Sequence, residues 1–221
     1  MSDGLDGARR GPKAGDAKQV VVFLHGYGAD RGDLLGLADT LTPHMPDTVF
    51  VAPNAPEKSR ANPVGFQWMP VPWMDGSSPE AAAVSMKSSV VRLNVYLDQV
   101  LNEERLVAAR MILFGFSQGT MMALHVAPRR TQKVAGIVGF SGLLLEPDRL
   151  ADEAVSKPPV LLLHGDQDEM VPPENLSVAT DALESAGFEV LSHIMKGTAH
   201  GIAPDGLSVA LAFMRARLGL E

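Results

Sequence analysis

The chain has 221 residues, 46% of them hydrophobic and 20% charged, with a formal net charge of −7 and no cysteine. That length and balance suit one well-buried globular core. The acidic balance argues against nucleic acid or an anionic membrane as the main partner, and the missing thiols exclude disulfides, cysteine nucleophiles and Cys-ligated metals.

The first residues, Met1-Ser2-Asp3-Gly4 onward, are polar and glycine-rich without the apolar core of a secretory signal. No apolar run approaches the ~18 residues a membrane span needs, so a cytoplasmic protein without a transmembrane segment is expected. Residues 1–17 read as a loose arm, ordered only if it docks on something, ahead of a single domain over 18–221.

Gln19 to Leu24 is a short continuous apolar run, as in a strand buried on both faces, and ends in the turn His25-Gly26-Tyr27-Gly28-Ala29-Asp30. Leu34, Leu37, Ala38 and Leu41 then have the spacing of an amphipathic helix over Asp33–Leu41, with Asp30 and Asp33 as its caps. Thr48 to Ala52 is the next strand. From Pro53 to Pro79 six prolines rule out long elements, yet Phe66, Trp68, Met69, Trp73 and Met74 crowd this stretch. A loop of that length has a role of its own in most compact domains. Pro79 to Leu101 reads as a long helix whose apolar positions include Val84, Val91, Val95 and Leu101.

Met111-Ile112-Leu113-Phe114 run straight into Gly115-Phe116-Ser117-Gln118-Gly119, followed by the helix formers Met121-Met122-Ala123-Leu124. This is a buried strand turning sharply into a helix with a serine at the apex. The flanking glycines spare the neighbouring strand and helix a Cβ, and the Gln118 N–H at the helix N-terminus is suited to an oxyanion. A glycine-rich turn with a serine cap is the plainer alternative. Further strands are expected at Val134–Phe140, Val160–Leu163 and Phe188–Met195, with helices at Glu174–Ala186 and Asp205–Leu218. Ser141 to Pro159 reads as irregular.

Alternating strands and helices imply an α/β fold: a mostly parallel twisted sheet with helices on both faces. Ligands in such sheets bind beyond the carboxyl ends of the strands, where the turns at His25–Asp30, Ser117, Asp168 and His200 all fall. A serine nucleophile needs a base, and the base needs an orienting acid. Of six histidines, His125 lies within a helix, His44 in a helix-end loop and His193 in a strand. His25 and His164 close strands before glycine, as turn residues. His200, in Gly197-Thr198-Ala199-His200-Gly201 between the last strand and last helix, is the favoured base. Asp168 is the preferred acid because it lies far enough round its turn to reach the next loop; Asp166 and Glu169 are its rivals. No metal-binding spacing or nucleotide-phosphate loop occurs, so neither metal nor cofactor is expected.

In combination, Phe23-Leu24-His25-Gly26-Tyr27-Gly28, Trp73-Met74-Asp75, Gly115-Phe116-Ser117-Gln118-Gly119, His164-Gly165-Asp166-Gln167-Asp168 with Val171-Pro172, and the His200 loop resemble the phospholipase/carboxylesterase family of small α/β-hydrolases. The resemblance runs from about Val20 to the C-terminus. It implies an α/β-hydrolase fold without a large lid, Ser117 as nucleophile, Asp168 as acid, His200 as base, and the amides of Tyr27 and Gln118 as oxyanion hole. Tyr27 departs from the leucine common there, and Thr120 from a second glycine. Trp73 and Met74 are expected to border the acyl groove, with Leu143, Leu144 and Leu145 opposite and Val171 nearby; Trp68 is read as core filling.

The expected activity is hydrolysis of short to medium acyl or aryl esters through an acyl-enzyme. Thioester or lysophospholipid hydrolysis is the close rival, and a non-catalytic ligand-binding protein the rival of another class. A small-molecule ester is the expected partner, and a homodimer is possible on this reading.

Overall fold

Strand β2 (Gln19–Leu24) is buried at every position, and so are β3 (Thr48–Pro53), β7 (Gly136–Phe140) and β8 (Val160–Gly165). In a computed structural model that describes residues 4–220, these strands join β1 (Gly7–Arg10), β6 (Met111–Phe116) and β9 (Val190–Met195) in one seven-stranded sheet. Its order is β1-β3-β2-β6-β7-β8-β9, parallel throughout except for β1, which runs antiparallel to β3.

Alternation along the strands divides the core. Val20, Val22, Leu24, Met111 and Leu113 face one side, packed with α4 (Pro79–Glu104), α5 (Gln118–Val126) and α7 (Glu174–Ser185). Val21, Phe23, Ile112 and Phe114 face the other, against α1 (Arg31–Leu35), α2 (Leu37–Leu41) and α8 (Pro204–Leu218). Strands buried on both faces can be apolar throughout, as these are.

Several expectations are revised. Gly7–Arg10, within the stretch read as a loose arm, adds an edge strand to β3, and Arg9 is held by a 2.8 Å ion pair to the buried Glu104. The helix expected at Asp33–Leu41 is two short ones parted at Gly36, a residue that costs helix stability in an interior position. The stretch Ser141–Pro159 contains α6 (Pro147–Glu153), whose proline occupies the first turn, where its missing N–H does no harm.

Helix α4 exists as expected, capped by Ser78, and buries Leu101 as expected, but Val84, Val91 and Val95 lie off its buried face. Leu93, Tyr96, Leu97, Val100 and Leu101 are inside, whereas Val84 and Val91 are 70% and 64% exposed. Both sets have helical spacing, and the larger side chains occupy the core. The proline-rich stretch holds only a two-residue hairpin, β4 (Glu57–Lys58) with β5 (Phe66–Gln67), and the short α3 (Pro72–Asp75). Among the described residues no helix is long and apolar enough to cross a membrane.

The sheet order reverses direction between β2 and β6, the place where open α/β sheets leave a crevice at their carboxyl edge. The turns after those two strands carry Gly26-Tyr27 and Ser117.

Candidate active site

Ser117 sits between β6 and α5 at φ 53° and ψ −116°, a conformation costly for any residue with a side chain. Its own N–H donates to the Phe140 carbonyl at 2.8 Å, which fixes the turn against β7. The flanking glycines have the steric role expected of them. A Cβ on Gly119 would lie 1.8 Å from the Leu24 carbonyl oxygen, and one on Gly115 2.4 Å from the Thr120 nitrogen. The departure at Thr120 has its own accommodation: Cβ atoms at Gly139 and Gly142 would come within 2.6 and 2.4 Å of its side chain.

Asp168 and His200 meet from the loops that follow β8 and β9. His200 Nδ1 donates to Asp168 Oδ2 at 2.8 Å, while Asp168 Oδ1 accepts the N–H groups of Met170 (3.0 Å) and Val171 (2.9 Å). The Asp168 side chain is wholly buried. Burial alone would raise its carboxyl, but the Val171 amide and His200 outweigh that and hold it below the usual carboxylate range. His164, read as a turn residue, lies 3.3 Å from the same carboxylate and also donates to the Val171 carbonyl.

The rivals take other positions. Asp166 Oδ1 accepts the Gly197 N–H at 2.7 Å, tying together the loops that bear Asp168 and His200, and Gln167 N–H donates to the Thr198 carbonyl. Gly165 permits this approach, since a Cβ there would sit 2.2 Å from the Thr198 oxygen.

Ser117 and His200 share the wall of a cavity of about 280 Å³ with Tyr27 and Gln118. Most of its lining is apolar, with Met69, Trp73, Met74, Met121, Leu143, Leu145, Met170 and Val171 contributing. Leu144 is a correction: it does not line this cavity but is buried in the core on the α4, α5 and α7 side of the sheet, between two neighbours that do line it. Trp68 is fully buried, as expected of a core residue. Met69, Met121 and Met170 were missed; three methionines in sequence-distant places become one wall only after folding.

The Gln118 side chain is a second missed feature. Its Oε1 accepts the Trp68 N–H and its Nε2 donates to the Met69 carbonyl, both at 2.8 Å, so it pins the proline-rich stretch to the Ser117 turn. His25 works from the other side. Its Nδ1 donates to the Gly26 carbonyl (2.8 Å) and its Nε2 accepts the Ala55 N–H (3.0 Å), and burial lowers its pKa. The amides of Tyr27 and Gln118 make no hydrogen bond among the described residues. Asp30 caps α1 through the Gly32 N–H, but Asp33 lies inside that helix and is no cap.

What this arrangement can do is acyl transfer: a hydroxyl on a half-buried elbow, an imidazole with its tautomer fixed by a buried carboxylate, and free N–H groups beside an apolar hollow. No group of three or more His, Asp or Glu is placed to hold a metal ion among the described residues. The sequence model of the phospholipase/carboxylesterase family matches residues 11–218. The chain belongs to that family. Acyl-protein thioesterase 1 of Saccharomyces cerevisiae is 32% identical over 97% of this chain and 99% of its own length. Esterase YpfH of Escherichia coli is 25% identical over 90% and 83%. The crystal structure of esterase PE8 superposes with a TM-score of 0.91 at 40% identity, covering 97% of this phospholipase/carboxylesterase family chain and 100% of that one.

Proposed function

We propose that this member of the phospholipase/carboxylesterase family is a serine carboxylesterase acting on short to medium acyl or aryl esters. Ser117 Oγ attacks the ester carbonyl as His200 Nε2 takes its proton, with Asp168 stabilising the imidazolium that forms. The oxyanion is held by the N–H groups of Tyr27 and Gln118. Collapse expels the alcohol, which takes the proton back from His200 and leaves an acyl-serine. Water activated by the same imidazole then releases the acid and restores Ser117.

The observation that carries this reading is the 2.8 Å His200–Asp168 hydrogen bond on the rim of the cavity that also presents Ser117. The methionine- and leucine-rich lining supports an apolar acyl group, worth about 0.8 kcal/mol per methylene buried. A p-nitrophenyl ester assay on wild type and Ser117→Ala tests it, with circular dichroism as the check on folding. Turnover is expected only in the wild type; a folded Ser117→Ala that retains turnover refutes the assignment.

Thioester hydrolysis is a second reading, favoured by the full-length similarity to acyl-protein thioesterase 1 of S. cerevisiae. Oxygen esters and thioesters pass through similar tetrahedral intermediates, and matched acyl substrates competing in one reaction separate the two.

A further inference from the structure

Asp33 stands where two hollows meet. It lines the cavity that holds Ser117 and His200, and also an adjoining groove of about 240 Å³ walled by Leu34, Leu37, Phe116 and Ile202. Phe116 is likewise common to both, and its ring packs against the His200 imidazole with centroids 4.9 Å apart. Ile202 follows His200 by two positions. The groove therefore opens on the imidazole side of the site.

The Asp33 carboxylate has neither a hydrogen bond nor an ion pair among the described residues, and no lysine or arginine lines either hollow. Partial burial, opposed by His25 and reinforced by Asp30, pushes its carboxyl above the ordinary range. A negative side chain is thus left without a counter-charge at the mouth of an otherwise apolar groove. In acyl transfer the imidazole gives its proton to the departing alkoxide, so the alcohol portion of an ester has to lie on the imidazole side.

Resting on the esterase reading above, we propose that this groove receives the alcohol portion of the substrate and that Asp33 selects alcohols carrying an ammonium group. The carboxylate supplies the charge. The Phe116 ring offers a face that attracts cations, and Leu34, Leu37 and Ile202 offer apolar contact to the alkyl groups around an ammonium nitrogen. Because Asp33 is partly exposed, solvent screening holds the preference to roughly two- to fivefold.

The test compares kcat/KM for butyrylcholine with that for its neutral isostere, 3,3-dimethylbutyl butyrate, in wild type, Asp33→Asn and Asp33→Glu. Differences in intrinsic reactivity between the two esters cancel when the ratio is compared across variants. The choline-to-neutral ratio is expected to fall roughly two- to fivefold in Asp33→Asn, to survive in Asp33→Glu, and to decline with added salt in the wild type and Asp33→Glu but not in Asp33→Asn. Equal ratios in wild type and both variants, with the neutral ester still hydrolysed, overturn the role of Asp33 and leave the esterase reading intact. A wild type that turns over p-nitrophenyl esters but neither test ester overturns the groove assignment alone; one that hydrolyses no p-nitrophenyl ester overturns both.

Discussion

The Tyr27 hydroxyl donates to Asp75 Oδ2 at 3.0 Å, joining the loop after β2 to the end of α3 across 48 positions of sequence. The same oxygen accepts the Val71 N–H at 2.9 Å, and Oδ1 accepts the Ser77 N–H at 2.9 Å. Asp75 thereby folds the Trp73-Met74 wall back on itself and ties it to the residue whose amide is proposed to face the oxyanion. A leucine at position 27 has no such bond to make. Tyr27→Phe is expected to lower stability by about 1 kcal/mol, the usual net value of one hydrogen bond, and to alter selectivity among acyl lengths. Urea unfolding and a p-nitrophenyl ester series check the two effects.

That carboxylate also sets a pH response. Desolvation would raise its pKa, but hydrogen bonds from Ser77, Val71 and Tyr27 prevail and hold it at about 2. A carboxyl depressed on folding contributes stability above its unfolded pKa of about 3.9, and this is lost as pH falls toward the folded value. Asp75→Asn is therefore expected to flatten the decline in stability between about pH 4 and pH 2, measured by denaturant midpoints across that range.

Adjacent leucines are expected to behave differently. Leu144 is buried in the core, so Leu144→Ala should cost about 2–5 kcal/mol of stability. Leu145 lines the cavity and is only partly buried, so Leu145→Ala should cost less and change acyl-chain preference instead. Thermal unfolding beside a chain-length series distinguishes the two outcomes.

Asp168→Asn removes the group that fixes the His200 tautomer. A fall in kcat of about 10³- to 10⁴-fold is expected, with KM changed far less. Steady-state kinetics with one p-nitrophenyl ester is sufficient to see it.

The groups at the strand ends were legible because each lies in a short pattern with a local cause. Gly115 and Gly119 are demanded by the Ser117 elbow, and His200 follows the last strand in a run of small residues. Asp168 was distinguishable from Asp166 only by its reach round the turn. What escaped notice depends on contacts between distant segments. Nothing near Tyr27 points to Asp75, and nothing near Gln118 points to the Trp68 and Met69 backbone. Helix α4 offers two apolar sets of helical periodicity, and side-chain size favours Leu93, Tyr96 and Leu97 over Val84 and Val91 for the core. The strand at Gly7–Arg10 has little apolar character because it forms an exposed edge, where burial leaves no pattern to read.

The central claim is that the hydroxyl at position 117 is an activated nucleophile. Wild-type protein treated with a fluorophosphonate and analysed by intact mass and peptide mapping tests it most directly. One adduct, mapped to Ser117 and absent from folded Ser117→Ala, is the expected result. An unmodified wild type, or an adduct on another residue, would contradict it.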